Sequence, residues 1–167
     1  MENKIVKESL PPIINENSNI LILGSLPSDN SIESKKYYNN PTNQFWKILY
    51  SIFDKKEDVS ISYDKKILFL HEHHIALWDV YSHATRENSA DENIKDSVFN
   101  NIEKLLIENP TIKKILLNGD TAKVGFEKYI KEKNINCKYE YVPSSSSANA
   151  KYLLSKKVEC WKKAIIQ

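Results

Sequence analysis

The sequence predicts an α/β protein, a three-layer α/β/α sandwich with a short, mainly parallel, four-stranded central sheet. Short apolar segments alternate along the chain with helical segments, the arrangement typical of a parallel sheet covered by helices on both faces. The first apolar segment, residues 19–24, ends in glycine, which is typical of a buried central strand. The length of 167 residues favours one domain, 1–167, with a polar lead-in over residues 1–18.

The other elements follow in chain order. We predict strands at residues 74–79, 112–117 and 138–142, and helices at 43–53, around 67–70, and at 102–107 and 121–133. Residues 25–42 form a polar segment that is too long for a simple turn, which favours a functional loop. Residues 82–96 are a second polar stretch. The chain closes in an amphipathic helix with an apolar stripe of Ala150, Leu153, Leu154, Val158, Trp161 and Ile165.

Composition restricts the class of protein. Hydrophobic residues make up 41% of the chain and charged residues 28%, ordinary values for a soluble globular protein, and no apolar run approaches the ~20 residues of a membrane span. The net charge of +2 is small for a dedicated nucleic-acid binder, so any DNA site must be a local patch. The two cysteines, Cys137 and Cys160, are too few for a cysteine-ligated iron–sulfur cluster. They lie far apart and form no CxxC motif, which favours reduced thiols in a cytoplasmic protein.

Each predicted strand leads into an unusual segment. These segments are Gly24-Ser25-Leu26-Pro27, Trp78-Asp79-Val80, Asn118-Gly119 and the serine-rich run from Pro143 to Asn149. In a parallel sheet, ligands bind beyond the carboxyl ends of the strands. The four segments together therefore predict a site at that edge.

The segments resemble the uracil-DNA glycosylase superfamily, and most closely its hypoxanthine-DNA glycosylase branch. The matching motifs are LILGSLPSDNS at 21–31, YYNNPTNQFW at 37–46, IALWDV at 75–80 followed by Arg86 and Ser89, LLNG at 116–119 followed by Ala122, and VPSSSSANA at 142–150. They keep the chain order of the family and extend over nearly the whole domain. The resemblance implies a uracil-DNA glycosylase-like fold and a cofactor-free, metal-free enzyme that removes a deaminated base, expected to be hypoxanthine, from DNA.

Three positions depart from the family pattern. Uracil-specific relatives carry Asn or Asp where this chain has Ser25, and that residue helps to place the attacking water. Ser147 stands where the branch often has proline, and Asn88-Ser89 stands where the third motif often has Gly-Ser. The serine at position 25 argues against efficient uracil excision by the usual route.

The resemblance assigns base and water positions on the first two motifs. Tyr38 is the candidate for stacking on a flipped base, although Tyr37 and Tyr38 can also simply cap the core. Asn40 and Asn43 are the candidates for placing the water, because an amide offers a donor and an acceptor together. Asn43 precedes a helix and can instead be its N-cap, so we rank Asn40 slightly higher.

The base edge is assigned to the next strand end. Asn118 can meet the N1–H and O6 edge of hypoxanthine, or can belong to an ordinary Asn-Gly turn. The backbone of Gly24, Ser25, Leu26 and Pro27 is expected to line the base pocket, since glycine permits a close approach.

The serine-rich run is the candidate for DNA contacts. Hydroxyls and free N–H groups at a helix start suit a phosphate, and this assigns DNA binding to Ser144, Ser145, Ser146, Ser147 and Asn149, with Lys151 adding charge. The alternative is a serine N-cap. For Lys151, Lys156 and Lys157 we favour a solvated face. No large side chain in the run can fill the vacated stack.

Two further groups have mainly structural interpretations. Asp79, after Trp78, can act as a second polar catalytic group, but pairing with Arg86 to hold the loop is favoured. The histidines at 71, 73 and 74 lack HExxH spacing, which favours solvated loop residues over a metal site. No lysine is singled out as a Schiff-base nucleophile, so we expect hydrolysis without strand cleavage.

Other functions remain open at this point. One is a uracil- or mismatch-type glycosylase of the same superfamily, and another is a non-catalytic module that binds damaged DNA. A serine hydrolase is disfavoured because GxSxG is absent and no histidine follows the serine run. The expected partner is single- or double-stranded DNA with a deaminated base. We expect the protein to bind it as a monomer and not to associate with a membrane.

Overall fold

The computed structural model describes residues 5–55, 61–86 and 95–166. The strands are β1 Ile5–Glu8, β2 Ile20–Gly24, β3 Ile75–Asp79, β4 Tyr81–Arg86, β5 Lys95–Phe99, β6 Lys114–Asn118 and β7 Glu140–Val142. The helices are α1 Asp29–Ser34, α2 Phe45–Ile52, α3 Tyr63–Glu72, α4 Ile102–Glu108, α5 Asp120–Lys133 and α6 Leu154–Ile166. No helix in these ranges is long and apolar enough to cross a membrane.

The central sheet is the predicted one. Its four strands pair in parallel in the order β3-β2-β6-β7. The register places Gly24 beside Asp79, and Asn118 beside Val142, at the carboxyl ends of their strands. The segments that follow these strands therefore meet at one edge of the sheet, as the sequence predicts.

Helices cover both faces of this sheet. The alternation of side chains in β2 sends Ile22 towards one face and Leu23 towards the other. The first face packs on α2, α3 and α6 through residues such as Phe45, Leu70 and Trp161. The second packs on α4 and α5 through residues such as Ile102, Ala122 and Phe126. The three-layer sandwich is confirmed.

The structure has a second sheet that the sequence does not predict. Strands β1, β4 and β5 form an antiparallel sheet in the order β1-β4-β5, so the expected lead-in and the polar stretch both contribute strands. These strands are too polar and too irregular to stand out, since the register of β4 with β5 shifts twice. Asn100 ties this sheet to the central one, because its Nδ2 donates to the carbonyls of Asp79 at 2.8 Å and Tyr81 at 3.2 Å.

The N-terminal segment also packs against the body of the protein. Leu10 is buried, and the hydroxyl of Tyr37 lies 3.1 Å from the Leu10 carbonyl and 2.8 Å from the Pro11 carbonyl. Ile13 forms an isolated antiparallel bridge with Leu77 of β3. Residues 10–13 therefore pack against the core of the domain, with Leu10 buried in it.

The last helix begins later than predicted. It starts at Leu154, so Ala150 and Leu153 precede it and are exposed rather than part of its buried stripe. The prediction that the serine run lies at the start of this helix is therefore wrong. Ser147 lies seven positions before the first helical residue.

Candidate active site

A cavity of about 180 Å³ lies at the carboxyl edge of the central sheet. Thirteen of the residues that the sequence analysis singled out line it, namely Gly24, Ser25, Leu26, Pro27, Tyr38, Asn40, Asn43, Asp79, Asn118, Ser144, Ser145, Ser146 and Ser147. The structure therefore brings the five segments together at one place. The volume of the cavity suits a small planar group rather than an extended ligand.

Some predicted residues lie away from the cavity lining. Asn149 folds back on the serine run, with its N–H donating to the carbonyl of Ser146 at 3.1 Å. Lys151 is exposed, and Trp78 packs against the core on the α4–α5 face. The side chain of Arg86 and the whole of Asn88 and Ser89 lie outside the described part of the structure. The pairing of Asp79 with Arg86 therefore stays a prediction.

Tyr38 has one ring face covered. Its ring stacks on Phe45 of α2, with centroids 3.9 Å apart and planes 16° apart. Its backbone adopts a left-handed conformation, with φ of 52°, which is strained for an aromatic residue and is retained mainly at functional positions. A planar ligand can therefore stack only on the ring face opposite Phe45.

Gly24 permits a close approach of two polar side chains. A Cβ atom at this position would lie 2.8 Å from Asp79 Oδ1 and 3.0 Å from the Tyr38 hydroxyl. Any larger residue would therefore displace one of them. The glycine keeps the carboxylate and the hydroxyl directly at the end of β2.

Asn118 is held by three hydrogen bonds at the end of β6. Its Oδ1 accepts from the Ser145 N–H at 2.9 Å, and its Nδ2 donates to the Ser145 hydroxyl at 3.0 Å and the Tyr38 hydroxyl at 3.2 Å. The following residue, Gly119, has φ of 94° and caps α5. The Asn-Gly pair therefore makes a turn and also directs an amide into the cavity, and the reading of a base edge by Asn118 stays a prediction.

The two candidate water ligands form local turns. Asn40 Oδ1 accepts from the N–H and the hydroxyl of Thr42, at 3.0 and 2.8 Å. Asn43 Oδ1 accepts from the Phe45 N–H at 3.0 Å, so this amide also supports the start of α2. Asn40 Oδ1 has both of its lone pairs engaged and Asn43 Oδ1 has one engaged, whereas neither Nδ2 has a partner within the described part of the chain.

The serine run is fixed from behind. Gln44 N–H donates to the Ser145 carbonyl at 2.8 Å, and Trp161 of α6 donates through its indole N–H to the Pro143 carbonyl at 2.8 Å. Lys157 donates to the Ser146 carbonyl at 3.0 Å. These hydrogen bonds therefore hold the backbone of the serine run in a defined conformation.

Several contributing residues were not predicted. Ser28, Ser31, Tyr37 and Thr42 also line the cavity. Ser28 caps α1, with its hydroxyl accepting from the Ser31 N–H at 3.3 Å, and the Pro-Ser-Asp sequence before a polar helix is the signal that was overlooked. Lys157 was expected on a solvated face, yet it is 1% exposed.

The electrostatics of the cavity floor favour a neutral Tyr37. Burial, and then the nearby Asp79 carboxylate, raise the pKa of the Tyr37 hydroxyl well above its usual range. Asp79 is itself 3% exposed. The cavity therefore contains one buried acidic side chain beside neutral hydroxyls and amides.

Of the three histidines, His71 lies in the last turn of helix α3, His73 caps that helix, and His74 is exposed in the turn that follows. His73 stacks on Phe53, with centroids 3.7 Å apart, and burial lowers the pKa of its imidazole. Across residues 5–55, 61–86 and 95–166, no three His, Cys, Asp or Glu side chains are grouped to hold a metal ion.

Comparison with known proteins identifies close relatives. The family model of the uracil DNA glycosylase superfamily matches residues 11–167. A hypoxanthine DNA glycosylase of Methanosarcina acetivorans is 36% identical over 157 residues, which cover 93% of this chain and 96% of that protein. A hypoxanthine DNA glycosylase of Methanosarcina barkeri is 40% identical over 153 residues, which cover 90% of this chain and 93% of that protein.

A solved structure has the same fold. It is a solution NMR structure of a Methanosarcina acetivorans protein studied as a candidate uracil DNA glycosylase, 34% identical to this chain. It superimposes with a TM-score of 0.81 and covers 96% of this chain and 97% of its own. The similarity therefore extends over both chains almost completely.

Proposed function

The chain belongs to the uracil-DNA glycosylase superfamily, and from this premise we propose that it is a DNA glycosylase that hydrolyses the N-glycosidic bond of deoxyinosine and releases hypoxanthine. The observation that carries the proposal is the single cavity at the carboxyl edge of the sheet. It combines an aromatic face, an oriented amide, two further amides and a serine loop. These are the groups that base stacking, base reading, water placement and phosphate binding require.

Base binding requires the nucleotide to leave the duplex. Flipping costs a few kcal/mol, least for a base that pairs badly, and hypoxanthine is such a base. We place the flipped base on the open face of Tyr38, where stacking contributes about 1–3 kcal/mol. Because Phe45 supports the other face, the ring is already oriented before the base arrives.

Asn118 is our candidate for reading the base edge. Its Oδ1 accepts one internal hydrogen bond and retains a second lone pair, which can accept the N1–H of hypoxanthine. Adenine has an unprotonated N1 and would leave that lone pair facing another acceptor, so it is rejected. Uracil offers a similar N–H beside a carbonyl, and the choice between the two bases must rest on the size and shape of the cavity.

Hydrolysis then needs one placed water. In the proposed reaction, the water oxygen bonds to C1′ of the deoxyribose, the C1′–N9 bond breaks, and its electron pair leaves with the base. The water loses a proton to the solvent as the abasic sugar forms, and the departing base gains a proton from the solvent, so that neutral hypoxanthine is released. Asn40 and Asn43 are the proposed water ligands, and Asp79 supplies negative charge near a sugar that becomes cation-like.

The experiment uses end-labelled duplexes with one deoxyinosine, one deoxyuridine or one thymine mismatch. We expect deoxyinosine to give an abasic site that breaks only after alkali treatment, since no lyase step is proposed. A faster reaction on deoxyuridine or on the mismatch would favour a uracil- or mismatch-type enzyme. Tight binding of the deoxyinosine duplex without any abasic product would favour a non-catalytic module.

The setting of the reaction follows from the substrate. We propose that the protein acts as a monomer on single- or double-stranded DNA, in the cytoplasmic compartment that holds the genome. Cofactors and metals have no assigned role in this scheme. Excision that persists in excess chelator, measured on the deoxyinosine duplex, is the expected result.

A further inference from the structure

Lys157 is a buried lysine on the inner side of helix α6. Its side chain is 1% exposed, and its Nζ donates to Gln44 Oε1 at 2.8 Å and to the Ser146 carbonyl at 3.0 Å. Gln44 immediately follows the candidate water ligand Asn43, and Ser146 lines the cavity. The ammonium group therefore joins the start of α2 to the back of the serine loop.

The charge of this group is not neutralised by a neighbouring carboxylate. Both of its partners are neutral oxygens, and no acidic group forms an ion pair with it within the described residues. Glu159, the one acidic residue of α6, pairs instead with Lys156 at 3.5 Å and Lys163 at 3.8 Å. Burial lowers the pKa of Lys157, which reflects the cost of keeping its charge away from water.

A buried charge without a counter-charge is costly, and a neutral side chain of similar length would fill the same space more cheaply. Hydrogen bonding alone does not require the charge, since a neutral amide can donate to the same two oxygens. The position of the group supplies a reason, because it stands behind a loop whose hydroxyl-bearing front faces the cavity.

We propose that Lys157 is a positioning residue whose buried positive charge prepares the serine loop to receive a DNA phosphate. The substrate phosphate then brings the counter-charge that is missing among the described residues. The ammonium acts through the loop, since it contacts the Ser146 carbonyl and not the cavity itself. This inference rests on the proposed binding of DNA by that loop.

The test compares Lys157→Gln and Lys157→Arg with the unaltered protein. Glutamine removes the charge and keeps amide donors for Gln44 and Ser146, whereas arginine keeps the charge. Lys163→Gln is the matched control, because it neutralises an exposed lysine further along α6. The probe is a duplex with a tetrahydrofuran abasic analogue, which binds but is not cleaved, titrated between about 50 and 200 mM salt.

We expect Lys157→Gln to weaken binding at low salt by about tenfold and to flatten the dependence of log K on log salt by up to about 0.9, the value for one phosphate. Arginine should restore the slope, and the Lys163 control should leave it unchanged. Because an uncompensated charge is removed, the melting temperature of Lys157→Gln should stay the same or rise.

Two results would overturn the inference. One is an unchanged salt slope and affinity in Lys157→Gln. The other is loss of folding both in Lys157→Gln and in a further variant, Lys157→Met, which replaces the lysine by an uncharged side chain. That result would show that the charge serves the native fold and not the substrate. Failure of the proposed function has a different signature, since the unaltered protein would then give no abasic sites on deoxyinosine duplexes whatever the slopes are.

Discussion

Asn118 and Ser145, 27 positions apart in the chain, are joined at the cavity edge by two hydrogen bonds, one donated by each residue. The Ser145 N–H donates to Asn118 Oδ1 at 2.9 Å, and Asn118 Nδ2 donates to the Ser145 hydroxyl at 3.0 Å. The amide cannot rotate without breaking both. Its carbonyl oxygen is therefore presented in one fixed orientation before any base arrives.

Replacement of Asn118 by alanine tests this arrangement. The change leaves the Ser145 N–H without its acceptor, so we expect a loss of about 1–3 kcal/mol in the free energy of unfolding. We also expect single-turnover excision of hypoxanthine to fall at least about tenfold, since base reading and loop position fail together. Ser145→Ala removes only the hydroxyl bond and should cost less on both measures. Equal effects of the two substitutions would contradict the assigned role of the amide.

Gly24→Ala tests the close approach at the end of β2. The added Cβ would lie 2.8 Å from Asp79 Oδ1 and 3.0 Å from the Tyr38 hydroxyl, so at least one side chain must move. We expect a folded protein whose single-turnover rate is reduced at least about tenfold. Gly125→Ala is the control, because Gly125 lies in α5, away from the cavity, and its added Cβ would make a similarly close contact of 2.7 Å with the Tyr81 hydroxyl. Similar rates for the two variants would show that the close approach of Asp79 and Tyr38 at Gly24 does not matter for excision.

Substitutions of Tyr38 separate stacking from hydrogen bonding. Tyr38→Ala removes the ring, and the loss of about 1–3 kcal/mol of stacking corresponds to roughly 5- to 150-fold in affinity or rate. Tyr38→Phe keeps the ring on Phe45 and removes the hydroxyl that accepts from Asn118, so its effect should stay below tenfold. The measurement is the excision rate against enzyme concentration. A larger effect for phenylalanine than for alanine would count against stacking.

The central sheet and the meeting of its loops were predictable because the strands are nearly continuous apolar segments. Burial on both faces leaves the pattern unambiguous, and parallel strands put their carboxyl ends at one edge. The second sheet was not predictable in this way. Its strands mix charged and apolar residues, and β4 changes register against β5. The regular alternation of apolar and polar residues that marks a strand therefore does not appear in the sequence.

The contacts within the site depend on positions far apart in the chain. Asn118 was identified by its place after a strand, but its bonds to Ser145 and Tyr38 require knowledge of how three loops meet. The burial of Lys157 does not follow from the sequence, because Lys156 and Lys157 are neighbours and only the packing of α6 on α2 decides which one points inward.

Tyr37 gives a prediction for alkaline pH. Its pKa is raised in the folded protein, so the stability that its neutral hydroxyl contributes is complete below the unfolded pKa of ~10 and is lost as pH rises above that value. We expect this group to lower the free energy of unfolding by about 1.4 kcal/mol per pH unit there. Tyr37→Phe should be slightly less stable at pH 7, because contacts with Leu10 and Pro11 are lost, but should decline less steeply in urea unfolding from pH 9 to 11. Parallel declines would exclude Tyr37 as the source.

The last prediction concerns which amide places the water. Asn40→Ala and Asn43→Ala each remove an unengaged Nδ2 from the cavity lining, and the true water ligand should lose at least about tenfold in single-turnover rate, or ~1.4 kcal/mol. Asn43→Ala also removes the acceptor of the Phe45 N–H, so part of its effect will appear as lower stability. Asn43→Asp separates the two roles, because a carboxylate retains the acceptor for Phe45 and loses the amide donor. A slow but stable Asn43→Asp assigns the water to Asn43, a normal rate there with a slow Asn40→Ala assigns it to Asn40, and normal rates in all three variants show that another group holds the water.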